Sequence, residues 1–232
     1  MHLPALLIHL RTLLLLIPLL SLYTAVHAQR SATGNWLMYF GSNKIAKGFN
    51  WHNEVQYRNY NLAGDIQQLL LRTGIGYNLS ENNDNILLGY GFIRAYSYAG
   101  SGEKTSVPEH RIFQQFITRQ NIHKYFIQHR YRLEERFLPN QQKVRFRYFL
   151  SVNRPVNKAK METGAVYLSA YNEVMLHAAR PVFDQNRLYG GAGYCISTAL
   201  RVETGYMFQI QEYRTRPQFQ LMIFNNLSFT KD

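Results

Sequence analysis

The sequence contains very little cysteine and no long hydrophobic run after Ala28. Cys195 is the only cysteine among the 232 residues, so the chain can form no internal disulfide. This excludes a small secreted scaffold held by disulfides and any metal cluster built from several cysteines. Beyond Ala28, no stretch approaches the ~20 consecutive apolar residues of a membrane-spanning helix. A helical membrane protein is therefore excluded as well.

Acidic residues are also scarce, since 14 Asp and Glu face 26 Lys and Arg, a formal net charge of +12. A basic chain often binds nucleic acid, but here the cations are spread over alternate positions of strand-like segments rather than on one helix or tail. Because the chain is also predicted to be exported, we expect no nucleic-acid partner. With 46% hydrophobic and 14% aromatic residues, the chain is not a disordered tail.

The first 28 residues have the pattern of a secretory signal peptide. Arg11 is followed by an apolar core over 13–22, and Ala28 provides a small residue at the expected cleavage position. An uncleaved membrane anchor is the alternative, but the apolar run is short for a spanning helix. We therefore expect a signal peptide over 1–28, with cleavage near Ala28, and one exported domain over 29–232.

That domain has the pattern of a chain of β-strands. Its Tyr and Phe residues occur in segments of about ten residues, separated by clusters of Asn, Gly, Asp, Pro and Lys, such as 61–65, 80–84, 139–142, 184–186 and 214–217. No linker divides the chain. The predicted strands lie near 35–42, 49–60, 65–77, 86–98, 109–120, 125–137, 143–153, 163–175, 187–196, 201–213 and 217–229.

Apolar and charged side chains alternate along several of these segments. Since successive side chains of a strand point to opposite faces, each such strand has one apolar and one charged face. The clearest case is 125–137, where the apolar face is Tyr125, Ile127, His129, Tyr131, Leu133, Glu135 and Phe137 and the charged face is Phe126, Gln128, Arg130, Arg132, Glu134 and Arg136. Segments 49–60, 143–153 and 201–213 repeat the pattern, whereas 86–98 and 109–120 do not show it cleanly.

Two architectures share this alternation. A soluble barrel or sandwich buries the apolar face, whereas a membrane barrel turns it toward lipid and lines its lumen with the charged face. Segments of 10–13 residues match the roughly 9–11 residues of a tilted membrane strand. Aromatic residues near strand ends suit interfacial girdles; they are Trp36, Phe49, Trp51, Phe137, Phe219 and Phe229. The sequence therefore predicts an all-β protein, a single antiparallel up-and-down transmembrane β-barrel. Because bacterial single-chain barrels have even strand numbers, we expect 10 or 12 strands.

Several short motifs together resemble an uncharacterised exported family, domain-of-unknown-function family 2490. They are Glu54-Val55-Gln56-Tyr57-Arg58, Gly89-Tyr90-Gly91, Glu109-His110-Arg111, His129 to Phe137, Tyr171-Asn172-Glu173 and Asp184 to Tyr189. The resemblance extends from about Trp36 to Phe229. It implies an outer-membrane-barrel-like fold in a Gram-negative envelope and no particular activity, because a fold does not dictate a function.

The strongest local feature is a group of charged residues expected to face the lumen. The candidates for lining the lumen or binding an anion are Arg130, Arg132, Glu134, Arg136, Arg145, Arg147, Arg58 and Glu54. If 125–137 and 143–153 form a hairpin, their arginines are cross-strand neighbours and can attract phosphate or carboxylate. The alternative is a ladder of ion pairs that fills a narrow barrel, with Glu54, Glu134, Glu173 and Glu203 as partners.

No catalytic or metal-binding motif stands out. Ser169, Glu173 and His177 are the candidates for a lipid-modifying enzyme, but no Gly-x-Ser-x-Gly motif surrounds Ser169. The eight histidines show no close ligand spacing. We therefore expect no enzyme activity, no cofactor and no metal.

The functional expectation is an outer-membrane barrel with a structural or accessory role, or a narrow channel with a cationic lumen. The alternatives are an enzyme that modifies envelope lipid and a soluble periplasmic barrel that binds a ligand. Expected partners are outer-membrane lipid, the barrel-assembly machinery that export implies, and lipopolysaccharide, which would meet loops carrying Lys104, Lys143 and Arg214.

Overall fold

The alternating segments fold into eleven strands that close into a barrel. The computed structural model describes residues 33–80 and 84–230, and it is all-β within them. The predicted signal peptide over 1–28 lies outside the described residues. The strands are β1 (Gly34–Ala46), β2 (Phe49–Asn59), β3 (Ile66–Asn78), β4 (Asp84–Tyr98), β5 (Lys104–Ile122), β6 (Tyr125–Leu138), β7 (Gln141–Pro155), β8 (Val166–His177), β9 (Phe183–Cys195), β10 (Leu200–Gln211) and β11 (Arg214–Asn225). In the part of the chain that the structure describes, no helix has the length and hydropathy needed to cross a membrane.

Tight turns fix the register between several neighbouring strands. Two residues connect β1 to β2, β5 to β6, β6 to β7 and β10 to β11. Gly48 in the first of these turns has a φ of 77°, which glycine adopts without strain. His123 in the second has a φ of 54°, an uncommon value for a residue with a side chain. Because a slip by one residue would reverse both faces of a strand, such short turns also decide which side chains point inward.

The barrel closes through a parallel pair, which the sequence analysis did not anticipate. β1 lies beside β11 in parallel from Gly34 opposite Gln218 to Gly41 opposite Asn225, whereas all other pairs are antiparallel. The prediction of 10 or 12 strands in a wholly antiparallel barrel was wrong. With an odd number of strands that each reverse direction, the first and last run the same way and can close only in parallel.

Because the strand number is odd, β1 begins at one end of the barrel and β11 finishes at the other. We call the end where β1 begins the N-terminal end; it carries the connections 60–65, 99–103, 139–140, 178–182 and 212–213. The end where β11 finishes is the C-terminal end, and it carries the connections 47–48, 79–83, 123–124, 156–165 and 196–199.

Two predicted turns are parts of strands. The segment 184–186 lies in β9, where Asp184 forms an ion pair with Arg145 of β7 at 2.8 Å and Gln185 accepts a hydrogen bond from Gln209 of β10 at 2.6 Å. The segment 214–217 lies in β11, and its Pro217 is paired opposite Phe208. The residue types of both segments favour a turn. Pairing with the neighbouring strands holds both segments in an extended conformation instead.

The two faces of the barrel have the orientation expected of a membrane barrel. Tyr131 on β6 and Phe146 on β7 point outward and are 49% and 52% exposed, whereas Arg132 and Glu134 on β6 point inward and are 4% and 0% exposed. The same reversal holds around the barrel. Exposed apolar residues include Leu37, Val55, Tyr57, Leu71, Ile75, Ile86, Leu88, Ile112, Phe116, Tyr148, Leu168, Leu188, Tyr206, Phe208, Leu221 and Ile223. The interior is therefore mostly polar, with some aromatic and apolar side chains, and the outer surface is apolar.

Aromatic side chains and glycines fit together inside the barrel. A Cβ atom added at Gly89 would lie 2.3 Å from the Phe113 ring on the neighbouring strand, and one at Gly193 would lie 2.2 Å from the Tyr167 ring. Glycine thus makes room for a large inward-pointing ring. For this reason the inner face of β4 could not be distinguished from its outer face in the sequence. Trp36, which we expected in an interfacial girdle, also points inward and is 2% exposed.

Candidate functional site

A layer of arginines and carboxylates crosses the interior of the barrel. We call it the charged layer. It contains nine arginines and five carboxylates of the described residues: Arg58, Arg72, Arg111, Arg130, Arg132, Arg136, Arg145, Arg147 and Arg187, with Glu54, Glu109, Glu134, Glu173 and Asp184. Positive charge is thus in excess inside the barrel.

Glu134 is the central acceptor of this layer. Its carboxylate lies 2.5 Å from Arg145 Nη2 and 2.6 Å from Arg147 Nη1, and 3.5 Å from Arg111 and from Arg132. The side chain is completely buried. Alternation on β6 sends Glu134 inward, and pairing of β6 with β7 sets it opposite Arg145. One carboxylate therefore balances the charge of several guanidinium groups.

Glu173 on β8 is a second shared acceptor. Arg147 donates to it at 2.5 Å, Arg130 at 2.8 Å and Arg187 at 3.1 Å. Because Arg147 contacts both Glu134 and Glu173, it joins the two groups. Such charge-assisted hydrogen bonds are short and directional, and they hold the side chains in one arrangement.

Two smaller groups complete the layer. Glu109 on β5 accepts from Arg111 at 2.6 Å and from Arg136 at 2.5 Å. Glu54 on β2 accepts from Arg72 and lies 3.3 Å from His52. Each of these carboxylates has at least one arginine partner, so the arginines of the layer balance all of its negative charge.

The residues predicted to line the lumen all lie in this layer, but their partners differ in part from those expected. Glu54, Glu134 and Glu173 pair with arginines, whereas Glu203 instead accepts a hydrogen bond from Tyr167 at 2.9 Å. Five members of the layer were not predicted from the sequence: Arg72, Arg111, Arg187, Glu109 and Asp184. Arg72 follows an apolar run, Arg111 and Glu109 lie in a strand without clear alternation, and Arg187 and Asp184 lie in or beside the supposed turn.

Arg58 differs from the other arginines of the layer. Among the described residues no carboxylate lies within ion-pair distance of it, and its guanidinium instead donates to the amide oxygens of Gln56 and Gln68, to the latter at 2.8 Å. It lies over the indole ring of Trp36, with 3.7 Å from its Cζ to the ring centroid, and Arg187 lies near the same ring at 4.9 Å. Two guanidinium groups therefore flank one tryptophan.

Two cavities lie on opposite sides of the charged layer. The one toward the N-terminal end has a volume of about 310 Å³, and the one toward the C-terminal end about 590 Å³. Five residues line both cavities: Trp36, Arg58, Arg72, Arg147 and Arg187. These side chains lie where the two cavities adjoin, and we call them the partition.

The candidate catalytic residues are not brought together. Ser169, Glu173 and His177 all lie on β8, four residues apart, so each is about 13 Å along the strand from the next. His177 lies 3.5 Å from Asp184 at the N-terminal end, while Ser169 lines the cavity toward the other end. A nucleophile and a base need hydrogen-bond contact, which this spacing does not provide.

Metal-ligand geometry is likewise not found in 33–80 and 84–230, where no three His, Cys, Asp or Glu side chains are grouped to hold an ion. Cys195 is a free thiol, and it is buried beside Tyr167 and Ala165. It contributes to packing between β8 and β9 rather than to a ligand set.

An ion pair ties two connections together at the N-terminal end. Lys104 and Tyr98 both hydrogen-bond Asp65, at 2.6 Å and 2.7 Å. Partial burial alone would raise the pKa of Asp65, but the hydrogen bonds from Lys104 and Tyr98 outweigh it and lower that pKa below its ordinary value. Lys104, predicted to meet lipopolysaccharide, is therefore partly engaged within the chain. Lys143 and Arg214, the other two cations of that prediction, lie exposed at the same end.

Comparison with known proteins identifies one family. The family described as "Protein of unknown function (DUF2490)" matches residues 33–220, which is most of the chain and nearly the whole barrel. No curated protein and no solved structure matches the chain. The match confirms the resemblance noted in the sequence and assigns no activity.

Proposed function

The chain belongs to the DUF2490 family, and from the geometry of its barrel we propose that it is an outer-membrane protein. Its lumen is closed by the charged layer. Its role is structural or accessory rather than that of an open pore. The observation that carries the proposal is the reversal of the two faces: apolar side chains cover the outside, and buried arginines and glutamates fill the inside.

The outer surface suits lipid better than water. Large apolar residues are exposed on all of the strands, in contrast to soluble proteins, where exposed apolar patches are small. The strands have 11 to 19 residues, enough for the roughly 9–11 that cross a bilayer at a tilt. A closed barrel leaves no unpaired strand edge in the hydrocarbon region, which is a requirement for any membrane-spanning sheet. Export by a signal peptide over 1–28 and delivery by the barrel-assembly machinery belong to the same proposal.

The charged layer supports a closed lumen. The partition lies where the two cavities adjoin, and arginines of the layer are held by shared carboxylates rather than by solvent. Small barrels generally have lumens filled by side chains. A permanently open channel would need this layer to part, at the expense of buried ion pairs.

The two tryptophans give a direct test of membrane insertion. Trp51 points outward and is 38% exposed, while Trp36 points inward and is 2% exposed. In vesicles that contain lipid brominated on the upper acyl chain, we expect the Trp36→Phe variant, which retains Trp51, to lose most of its fluorescence. The Trp51→Phe variant, which retains Trp36, should lose little.

Each variant is the control for the other, because both carry the same substitution in the same fold. Equal quenching of the two would contradict the arrangement of the faces. If neither variant were quenched and both stayed in the aqueous fraction, the protein would be a soluble barrel.

Planar-bilayer recording tests closure of the lumen. Because the charged layer fills the interior at mid-depth, we expect the inserted protein to give no current steps in symmetric salt or across a salt gradient. A general diffusion porin added to the same membrane serves as the positive control. Regular steps that favour anions would show instead that the protein is a channel with a cationic lumen.

Contact with lipopolysaccharide is proposed for the cations at the N-terminal end. Lys143 and Arg214 are exposed there, and Lys104 lies close by. Anionic groups at the outer leaflet attract such cations over about a Debye length. This contact is part of the proposal and requires the N-terminal end to face outward.

A further inference from the structure

The charged layer has more positive charge than the chain itself balances. Its nine arginines face five carboxylates, and the carboxylates are already shared, with Glu134 serving four arginines and Glu173 three. An unpaired charge in a protein interior is unfavourable unless a counter-charge lies near it. The excess therefore indicates that an anion from outside the chain belongs in the interior.

Part of this excess lies at Trp36, where Arg58 has no carboxylate partner among the described residues. Arg58 and Arg187 both lie against the Trp36 ring. Arg72 lines the same two cavities. Two guanidinium groups thus lie against Trp36, and a third lines the same cavities.

Three of the residues that line both cavities also carry unused hydrogen-bond donors. Trp36 Nε1, Arg72 Nε and Arg187 Nε are among the buried polar atoms that have no hydrogen-bond partner in the described structure. The three side chains are 2%, 6% and 8% exposed. Because buried donors are nearly always satisfied in proteins, these three can be satisfied by acceptor atoms of a ligand.

The cavity toward the N-terminal end has the size and lining for such a ligand. Its volume of about 310 Å³ is at the lower limit of small-molecule sites. Arginines form one part of its wall, and the amide groups of Gln67, Gln68, Gln185, Gln209 and Gln211 form another. Guanidinium groups bind the paired oxygens of phosphate and carboxylate, and amides bind hydroxyl or carbonyl groups.

We propose that this cavity binds a small polar oxyanion, a phosphate or phosphate ester, whose charged group lies against Trp36, Arg58, Arg72 and Arg187 and whose polar part meets the glutamines. The site is centred on Arg58, which is the one arginine among the predicted lumen residues without a carboxylate partner in the described structure. The predicted arginines of β6 and β7 are instead held by Glu109, Glu134 and Glu173. The same chemistry is offered by a free phosphate compound and by a phosphate-bearing lipid headgroup.

Quenching of Trp36 reports on the site directly. In the Trp51→Phe variant, Trp36 is the only tryptophan of the chain. In detergent micelles without phospholipid, we expect iodide to quench it far more than caesium does, because the surrounding charge attracts anions. Inorganic phosphate should protect Trp36 in a saturable way. This measurement requires only the folded barrel, so its outcome is independent of membrane insertion.

Substitutions separate the site from general surface charge. Arg58→Gln and Arg187→Gln, each added to Trp51→Phe, should raise the phosphate concentration for half-protection by about tenfold or more, the size expected for a lost charge-assisted contact. Arg214→Gln removes the same charge from the exposed rim at the same end and should leave it unchanged. Thermal unfolding provides a second measurement: phosphate should raise the midpoint of the parent barrel but not that of Arg58→Gln.

The source of the anion is resolved by adding phosphatidylglycerol to phosphate-free micelles. Protection by phosphate alone assigns a soluble ligand, and protection by the phospholipid alone assigns a lipid headgroup. Either result supports the site. If neither protects Trp36, or if Arg214→Gln has as large an effect as Arg58→Gln, the cavity is not an oxyanion site and the proposal is overturned.

Discussion

Replacing Glu134 by glutamine is expected to lower the free energy of unfolding of the barrel by about 3–5 kcal/mol, the range for removing one partner of a buried ion pair. Glutamine has the same shape, so the substitution creates no cavity. It removes the negative charge to which Arg145 and Arg147 donate at 2.5 Å and 2.6 Å. Their positive charges would then repel one another inside the protein.

The neighbouring residue provides a matched control. Glu135 is the next residue on β6 and points outward; it makes no ion pair among the described residues, and its Oε1 accepts only a 3.4 Å contact from Gln114. Glu135 lies three residues before the N-terminal end of the barrel, where an outward-facing charge has a small effect on stability. Glu135→Gln should therefore change the unfolding free energy by less than about 1 kcal/mol. Urea unfolding in detergent, followed by the gel shift between folded and heated protein, measures both variants.

A second substitution tests whether the loss is electrostatic. Arg147→Gln removes one positive charge from the group that Glu134→Gln leaves unbalanced, while Glu173 keeps Arg130 and Arg187. The double variant should thus be more stable than the sum of the two single effects predicts. Additive effects, or equal stability of Glu134→Gln and Glu135→Gln, would show that the charged layer does not hold the barrel together.

The sequence predicted those parts of the barrel in which each strand has one charged and one apolar face. Along β6 and β7, arginine and glutamate alternate with tyrosine, leucine and phenylalanine, so period-two alternation alone identifies the strand and its inner face. β5 could not be interpreted in this way. Its inward residues include Phe113 and Ile117 beside Glu109 and Arg111, and its outward face includes His110 and Gln114.

Other features depended on contacts between distant strands. Asp184 and Gln185 have the local preference of a turn, and only their partners on β7 and β10 make them part of a strand. Trp36 lies near a strand start, as an interfacial aromatic would, but both faces of β1 are largely apolar and alternation could not assign its direction. Pairing with β2 and β11 sets that direction.

The candidate site was predicted as a region but not in its detail. Alternation placed Arg58 and the arginines of β6 and β7 inside, whereas their distribution among carboxylates depends on the barrel's closure. Arg187 reaches Trp36 because β9 and β1 both face the same small lumen. No local pattern in the sequence contains that contact, and the excess charge around Trp36 becomes visible only when all inward residues are counted together.

The odd strand number leads to an all-or-none prediction about the two chain ends. Because β1 and β11 run in the same direction, Thr33 lies at the N-terminal end of the barrel and Thr230 at the C-terminal end. In a membrane-spanning barrel these residues must face opposite compartments. Single cysteines at the two positions, in a Cys195→Ser background, can be tested in intact cells with a maleimide on a polymer too large to pass through porins.

Loop residues provide internal references for each rim. Ser101 lies in the connection between β4 and β5 at the N-terminal end, and Ala159 in the connection between β7 and β8 at the C-terminal end; both are exposed. Thr33→Cys should react as Ser101→Cys does, and Thr230→Cys as Ala159→Cys does, with only one pair labelled before the cells are lysed. The proposed contact of Lys143 and Arg214 with lipopolysaccharide requires labelling of the first pair. Labelling of Thr33→Cys and Thr230→Cys from the same side would require an even number of strands, and the parallel closure of β1 on β11 would then be wrong.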